Sequence, residues 1–208
     1  KTVMIGNAMR TAAVLNPQHF GYDKSLENPY PYNPDKARQL LKEANFPSDQ
    51  PLRLVTYTGS IQNPRAMVEA VGGFLNKVGV KTSINVYTDI GMWDRLGREG
   101  KQNDMHIHSW GSGGVYDADA LYYSYFRSGA AYCYGSSPDM DKWLDDARAT
   151  MNVEQRKKLY SNAGKYINDQ ALAVSLWAQY SILGINKRGV YEAPPDEFLR
   201  TFEAKVKE

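Results

Sequence analysis

The sequence predicts an α/β fold with a mixed central sheet flanked by helices, and three observations carry that reading. Apolar stripes of helical period alternate with short strand-like runs through the first half of the chain. Two helices open on the same signal, asparagine then proline, at Asn33-Pro34 and Asn63-Pro64. The asparagine is a favoured cap, and proline suits a first helical position whose N–H has no partner. The 208 residues are 42% hydrophobic and 23% charged, an ordinary globular composition with room for one good core or two small domains.

Taken in order, residues 1–33 are rich in Pro, Tyr, Asn and Gly, carry little periodicity, and read as an extended wrapping segment. Ala37, Leu40, Leu41 and Ala44 form the stripe of a helix from Pro34 that ends near Asn45, before Pro47. Leu52 to Tyr57 is a strand. Met67, Val68, Val71, Leu75 and Val78 line the next helix, closed by Gly79. Val80 to Tyr87 alternates as a strand, and a helix over Ile90 to Gly97 turns Trp93 and Leu96 inward. Met105 to Trp110 is a short strand that runs into the turn Gly111-Ser112-Gly113-Gly114. Helices follow at 118–127, at 138–149 from Ser137-Pro138, and at 153–169 from an Asn152 cap. Leu172 to Trp177 and Ser181 to Asn186 read as closing strands, and the polar tail leaves room for one more.

Composition removes several function classes. A net charge of +2, from 25 basic and 23 acidic residues, gives no footprint for nucleic acid or an anionic membrane. The single cysteine, Cys133, allows neither a disulfide framework nor a CxxC site. No run reaches the roughly 18 apolar residues of a membrane span. The N-terminus lacks both an apolar signal region and an initiator methionine, so the chain reads as a fragment or a processed product. Fifteen tyrosines and four tryptophans suit a surface that buries flat ligands, although most such rings pack cores.

Enzyme chemistry finds little material. His106 and His108 lie two apart on one strand and share a face, but no third metal ligand stands near, and His19 is remote in sequence. No metal or cofactor is expected. Asp139, Asp141, Asp145 and Asp146 crowd one helix, where carboxylates in the first turn complement the dipole. The glycine turn lacks the spacing of a phosphate loop. It does follow a strand that ends in Trp110 and precedes Tyr116 and Asp117, the place where open α/β sheets bind ligands. Trp110 is a flat plate there, with Asp117 and Asp119 as acceptors, or else it is core beside a tight turn.

Two stretches then bring a family into view. Pro29-Tyr-Pro-Tyr-Asn-Pro-Asp-Lys-Ala-Arg-Gln-Leu-Leu-Lys-Glu-Ala-Asn-Phe-Pro47 resembles the YDPEKAKxLLxEAGYP pattern of the oligopeptide/dipeptide/nickel-type solute-binding proteins of ABC importers, family 5. From Met92 to Trp143 come a helix tryptophan, an Asn-Asp-Met lead-in, Ser109-Trp110-Gly111, an Asp-x-Asp, and a helix similar to SNPEFDxLLxxA. The resemblance implies one lobe of a two-lobed, type II periplasmic-binding-protein-like fold. Residues 1–208 would be the C-terminal ligand-binding lobe, with the N-terminal lobe absent from the sequence. It implies a monomeric receptor in the periplasm or outside the membrane, membrane-associated in Gram-positive bacteria, that hands a solute to an ABC permease.

Residue by residue, the match places Trp110 at the cleft and Trp93 near it, and sets Asp117 on the family's Asp-Pro pair with Ala118 in place of proline. Ser60, Gly111, Ser112, Gly113, Gly114 and Tyr116 complete the expected lining. Peptide-binding members hold the ligand ammonium with an aspartate where this chain has Gly113 or Gly114; a slip of one or two residues would pass that role to Asp117. They hold the carboxylate with an arginine in the loop that here reads Thr58-Gly-Ser-Ile-Gln-Asn63, without a cation before Arg65. An ammonium buried without a carboxylate is costly. The solute is therefore a peptide or a neutral oligosaccharide stacked on Trp110. Two other readings stand beside transport: a sensor or chaperone lobe, and a hydrolase using Asp117 with Asp119 or the histidine pair.

Overall fold

Parallel pairing organises the first of two compact units. The computed structural model describes residues 6–9, 11–59, 61–102, 104–111, 115–194 and 198–207. Unit 1 takes in residues 28–109, and unit 2 residues 7–27 and 110–208. The short strand β1 (Ala8–Met9) and helix α1 (Pro34–Glu43) come first in the chain. In unit 1, β2 (Leu52–Tyr57) lies between β3 (Thr82–Tyr87) and β4 (Met105–His106), all parallel. Leu54, Val55, Thr56 and Tyr57 are buried in succession, as expected of a central parallel strand covered on both faces.

Helices α2 (Pro64–Lys77) and α3 (Ile90–Arg98) supply the crossovers. α2 buries Met67, Val68 and Gly72. A Cβ at Gly72 would stand 3.0 Å from Ile84 Cδ1 and from Thr82 Oγ1, so the bare backbone lets the helix sit close on β3. α1 begins as predicted, with Asn33 Oδ1 accepting from the Lys36 N–H at 2.9 Å, yet buries none of its residues. Asn63 departs from the expected cap. It lies in the left-handed region (φ 48°) and its side chain caps nothing.

Unit 2 is helical. α4 (Ala118–Phe126), α5 (Pro138–Ala149) and α6 (Val153–Asp169) enclose Leu15, Tyr122, Met140, Leu144, Tyr160 and Ile167. Ser137 and Asn152 cap α5 and α6 as their sequence signals require. Residues 11–27 are fastened to these helices: Tyr122 donates to the Ala13 carbonyl (3.0 Å), Asn168 to that of Leu26 (3.1 Å), and Phe20 bridges to Asp117. Strand β1 pairs antiparallel with β5 (Ala178–Gln179), and β6 (Gly189–Val190) with β7 (Lys205–Val206), the strand for which the tail left room.

Two expectations are corrected. The central sheet is parallel, not mixed, in its described strands. The closing strands at 172–177 and 181–186 do not form. Their alternation is real, but Val174, Leu176, Ile182 and Ile185 are exposed, and pairing in this stretch is confined to Ala178–Gln179.

Candidate functional site

In unit 1 the chain leaves β2 toward one edge of the sheet to make β3, then crosses back to make β4 on the other side. The strand order therefore reverses where the carboxyl ends of β2 and β4 meet, the position at which open α/β sheets bind ligands. Backbone and side chains tie those ends together. Thr56 Oγ1 donates to the Ile107 carbonyl and the Tyr57 hydroxyl to that of Ser109, each at 3.2 Å. The Thr58 N–H reaches the Tyr87 carbonyl at 2.9 Å.

An aromatic cluster fills this end of the sheet. Asp89 caps α3 through the Met92 N–H (3.0 Å), which sets the helix so that Trp93 points inward, as its spacing predicts. Trp93 is only 2% exposed. Its ring stacks on Tyr57 (centroids 4.8 Å, 25°) and tilts against Tyr87 at 5.7 Å. Ile61, from the connection between β2 and α2, packs on the same cluster. The Trp93 carbonyl accepts from buried Gln102 at 2.9 Å, but its indole Nε1–H has no hydrogen-bond partner.

His106 and His108 do share a face, and that face is turned onto Trp93, each ring centroid 6.1 Å away. Burial holds the His106 imidazole below its usual value. Burial, with the neighbouring His106, takes His108 down to about 4, so both rings are neutral near pH 7. Among the described residues no group of three or more His, Cys, Asp or Glu is placed to hold a metal ion.

In unit 2, Trp110 is 38% exposed. Tyr125 and Tyr132 hold its position edge-on at 5.3 and 6.4 Å, and stack on each other at 5.5 Å. Gly111 is exposed beside it. Tyr116 accepts through its carbonyl from Phe20 (2.8 Å) and packs edge-on against His19 at 5.2 Å.

Asp117 is fully committed within unit 2. Oδ1 accepts from the Asp119 N–H (2.9 Å) at the start of α4, and both oxygens receive Arg156, at 2.7 and 3.0 Å. Arg156 also donates to Tyr160. Asp119 is held the same way by Arg148, at 2.7 and 2.8 Å. Each carboxylate is thus charge-paired with its own arginine, and the two do not form an acid–base pair. Ser60, Ser112, Gly113 and Gly114 lie outside the described residues.

The sequence reading missed three parts of this arrangement. Tyr57 and Tyr87 carried a usable signal, an aromatic as the last residue of each of two predicted strands. The brace of Tyr125 and Tyr132 had only their abundance to mark it, and nothing local marked Arg156 as the partner of Asp117, 39 positions away.

Comparison with known proteins adds to this geometry. Residues 1–133 match the model of a family described as bacterial extracellular solute-binding proteins, family 5 middle. The chain is 29% identical over 177 residues to di/tripeptide-binding protein 2 of Pseudomonas aeruginosa, covering 81% of this chain and 32% of that protein. It is 27% identical over 195 residues to heme-binding protein A of Haemophilus influenzae, covering 86% and 34%. Among solved structures, the periplasmic binding protein DppA of Helicobacter pylori, in complex with the peptide STSA, superposes with a TM-score of 0.83. That match has 23% identity and covers 100% of this chain and 41% of that one. The chain thus spans about a third of the length of the curated relatives it matches.

Proposed function

The chain belongs to the bacterial extracellular solute-binding proteins of family 5, and on that premise we propose that it forms the C-terminal lobe of the peptide-capturing component of an ABC importer. The observation that carries the proposal is Trp110, a large aromatic held in place by two tyrosines yet left open to solvent. Such a plate can stack on a planar peptide group or a side chain. Gly111, exposed beside it, would let the ligand approach backbone, with Tyr116 as further lining.

Asp117 is not proposed as an ammonium anchor, because Arg156 already satisfies it. Family membership points to binding and delivery rather than catalysis, and places the receptor outside the cytoplasm, where it would present its solute to a membrane permease. Peptides are preferred over neutral oligosaccharides, since the relatives reported above are named for di- and tripeptides or heme and one was solved with a peptide.

The test is calorimetric. Titration of the intact protein with the peptide STSA should give saturable heat, and maltotriose none. Binding of maltotriose alone would return the oligosaccharide reading.

A further inference from the structure

A groove of about 470 Å³ opens on unit 2, and neither Trp110 nor its tyrosine brace lines it. One bank is the chain from Pro17 to Lys24. The other is the first half of α6, where Glu154, Lys157, Lys158 and Ser161 fall at the spacing of a single helix face.

The first bank is held in shape by its backbone. Residues 19–22 form a tight turn, closed by the Tyr22 N–H on the His19 carbonyl at 3.1 Å. Gly21 takes the third position with φ +88°, a conformation that favours glycine, and a Cβ there would stand 2.9 Å from Ala118 Cβ and Tyr160 Cδ2. Phe20 donates to the Tyr116 carbonyl at 2.8 Å and accepts from the Ala118 N–H at 2.9 Å. Ser161 Oγ donates to Asp23 Oδ2 at 2.6 Å and ties the two banks together.

The charges along the groove are not matched. Asp23 is occupied on both oxygens, and the bonds from Ser161 and Ser25 hold its carboxyl below the usual carboxylate range. Glu154 pairs with Lys157 at 3.0 Å. Lys24 and Lys158, one on each bank, are exposed and meet no carboxylate among the described residues. Lysines elsewhere on α5 and α6 do: Lys142 pairs with Asp146, and Lys165 with Asp169, one turn along. Two cations thus line one groove with no anion of the chain to answer them. Point charges of this kind suit a phosphate group, and the forked arginine that would match a planar carboxylate is not in the lining. The space is also large enough to take an organic body beside the charged group.

We propose that this groove binds a phosphate ester, gripped by Lys24 and Lys158 from opposite banks, at a site separate from the solute plate at Trp110. Calorimetric titration of the intact protein with glycerol 3-phosphate, at physiological ionic strength, should give saturable heat. Lys24→Gln and Lys158→Gln should each weaken that binding about tenfold, whereas Lys142→Gln, outside the groove, should leave it unchanged. STSA affinity should be the same in all three variants, so the fate of the groove and that of the peptide reading are told apart. No saturable heat, or a loss that Lys142→Gln reproduces, would overturn the site. A second measurement needs no variant: glycerol 3-phosphate should raise the melting temperature of the unmutated protein, and an unmoved melt would count against the groove. Phosphatidylglycerol vesicles separate two sources of the ester. Vesicle binding displaced by glycerol 3-phosphate would assign the groove to a lipid headgroup, and vesicles left unbound would assign it to a soluble ester. Vesicle binding that survives both lysine substitutions would contradict the proposal.

Discussion

Trp93, from a helix, and Trp110, from the end of a predicted strand, are both expected near the ligand, and they end in opposite environments. Trp93 is sealed in the aromatic cluster of unit 1, stacked and 2% exposed. Trp110, in unit 2, meets Tyr125 and Tyr132 in T-shaped contacts and is 38% exposed. The contrast teaches that an aromatic-rich sequence does not say which ring holds the fold and which meets the ligand. Packing partners decide, and they arrive from far along the chain.

The sharpest way to break the comparison is truncation. Trp93→Ala removes the centre of the unit 1 cluster and should cost about 3–5 kcal/mol, read as a lower urea midpoint with unchanged slope. A loss below about 1 kcal/mol would mean that the cluster is not structural.

Acid should act on the same cluster. The unfolded chain protonates His108 near the ordinary 6.5, whereas burial holds the folded imidazole at about 4. Between those values the unfolded state binds more protons, so stability is full above about pH 6.5 and declines as pH falls toward 4. His106 adds to the effect, and Asp94 opposes it weakly. Thermal melts of His108→Gln should show a shallower pH dependence over that window. An unchanged slope would place the acid sensitivity elsewhere.

Unit 2 has an electrostatic counterpart. The Arg156–Asp117 pair is about a quarter exposed on each side, 26% and 25%, so breaking it leaves a partly buried charge. Arg156→Met should destabilise by about 2 kcal/mol, less than a fully buried pair would. Adding Asp117→Asn should recover part of that loss, a coupling that a double-mutant cycle measures directly. Additive losses would show that the pair is decorative.

Much of this fold is legible wherever the signal is local. The Asn-Pro and Ser-Pro starts place α1, α2 and α5 to the residue, and the Asn152 cap places α6. The strand at 52–57 is found in full, because the four consecutive positions Leu54 to Tyr57 are buried and its β-branched and aromatic residues favour extended backbone. The failures are non-local. The stretch 172–186 alternates like a strand, yet only Ala178–Gln179 finds a partner, β1, some 170 positions earlier in the chain. Asp117 looks like a ligand acceptor until Arg156 is folded onto it. At the site, the exposure of Trp110 could be anticipated from the glycines after it, whereas its tyrosine brace and the orphan donor on Trp93 exist only once the chain is packed.

The smallest expected effect on stability is also the most direct test of the account. Trp110→Ala in the intact protein should lower the unfolding free energy by less than about 1 kcal/mol, since more than a third of the residue is open to solvent. The same substitution should weaken STSA binding by about 1–3 kcal/mol, the loss of one stacking platform. Calorimetric titration and a melt on a single preparation give both numbers. Weaker binding at unchanged stability is the result predicted; a collapse in stability, or full affinity without the ring, would contradict the placement of the ligand at Trp110.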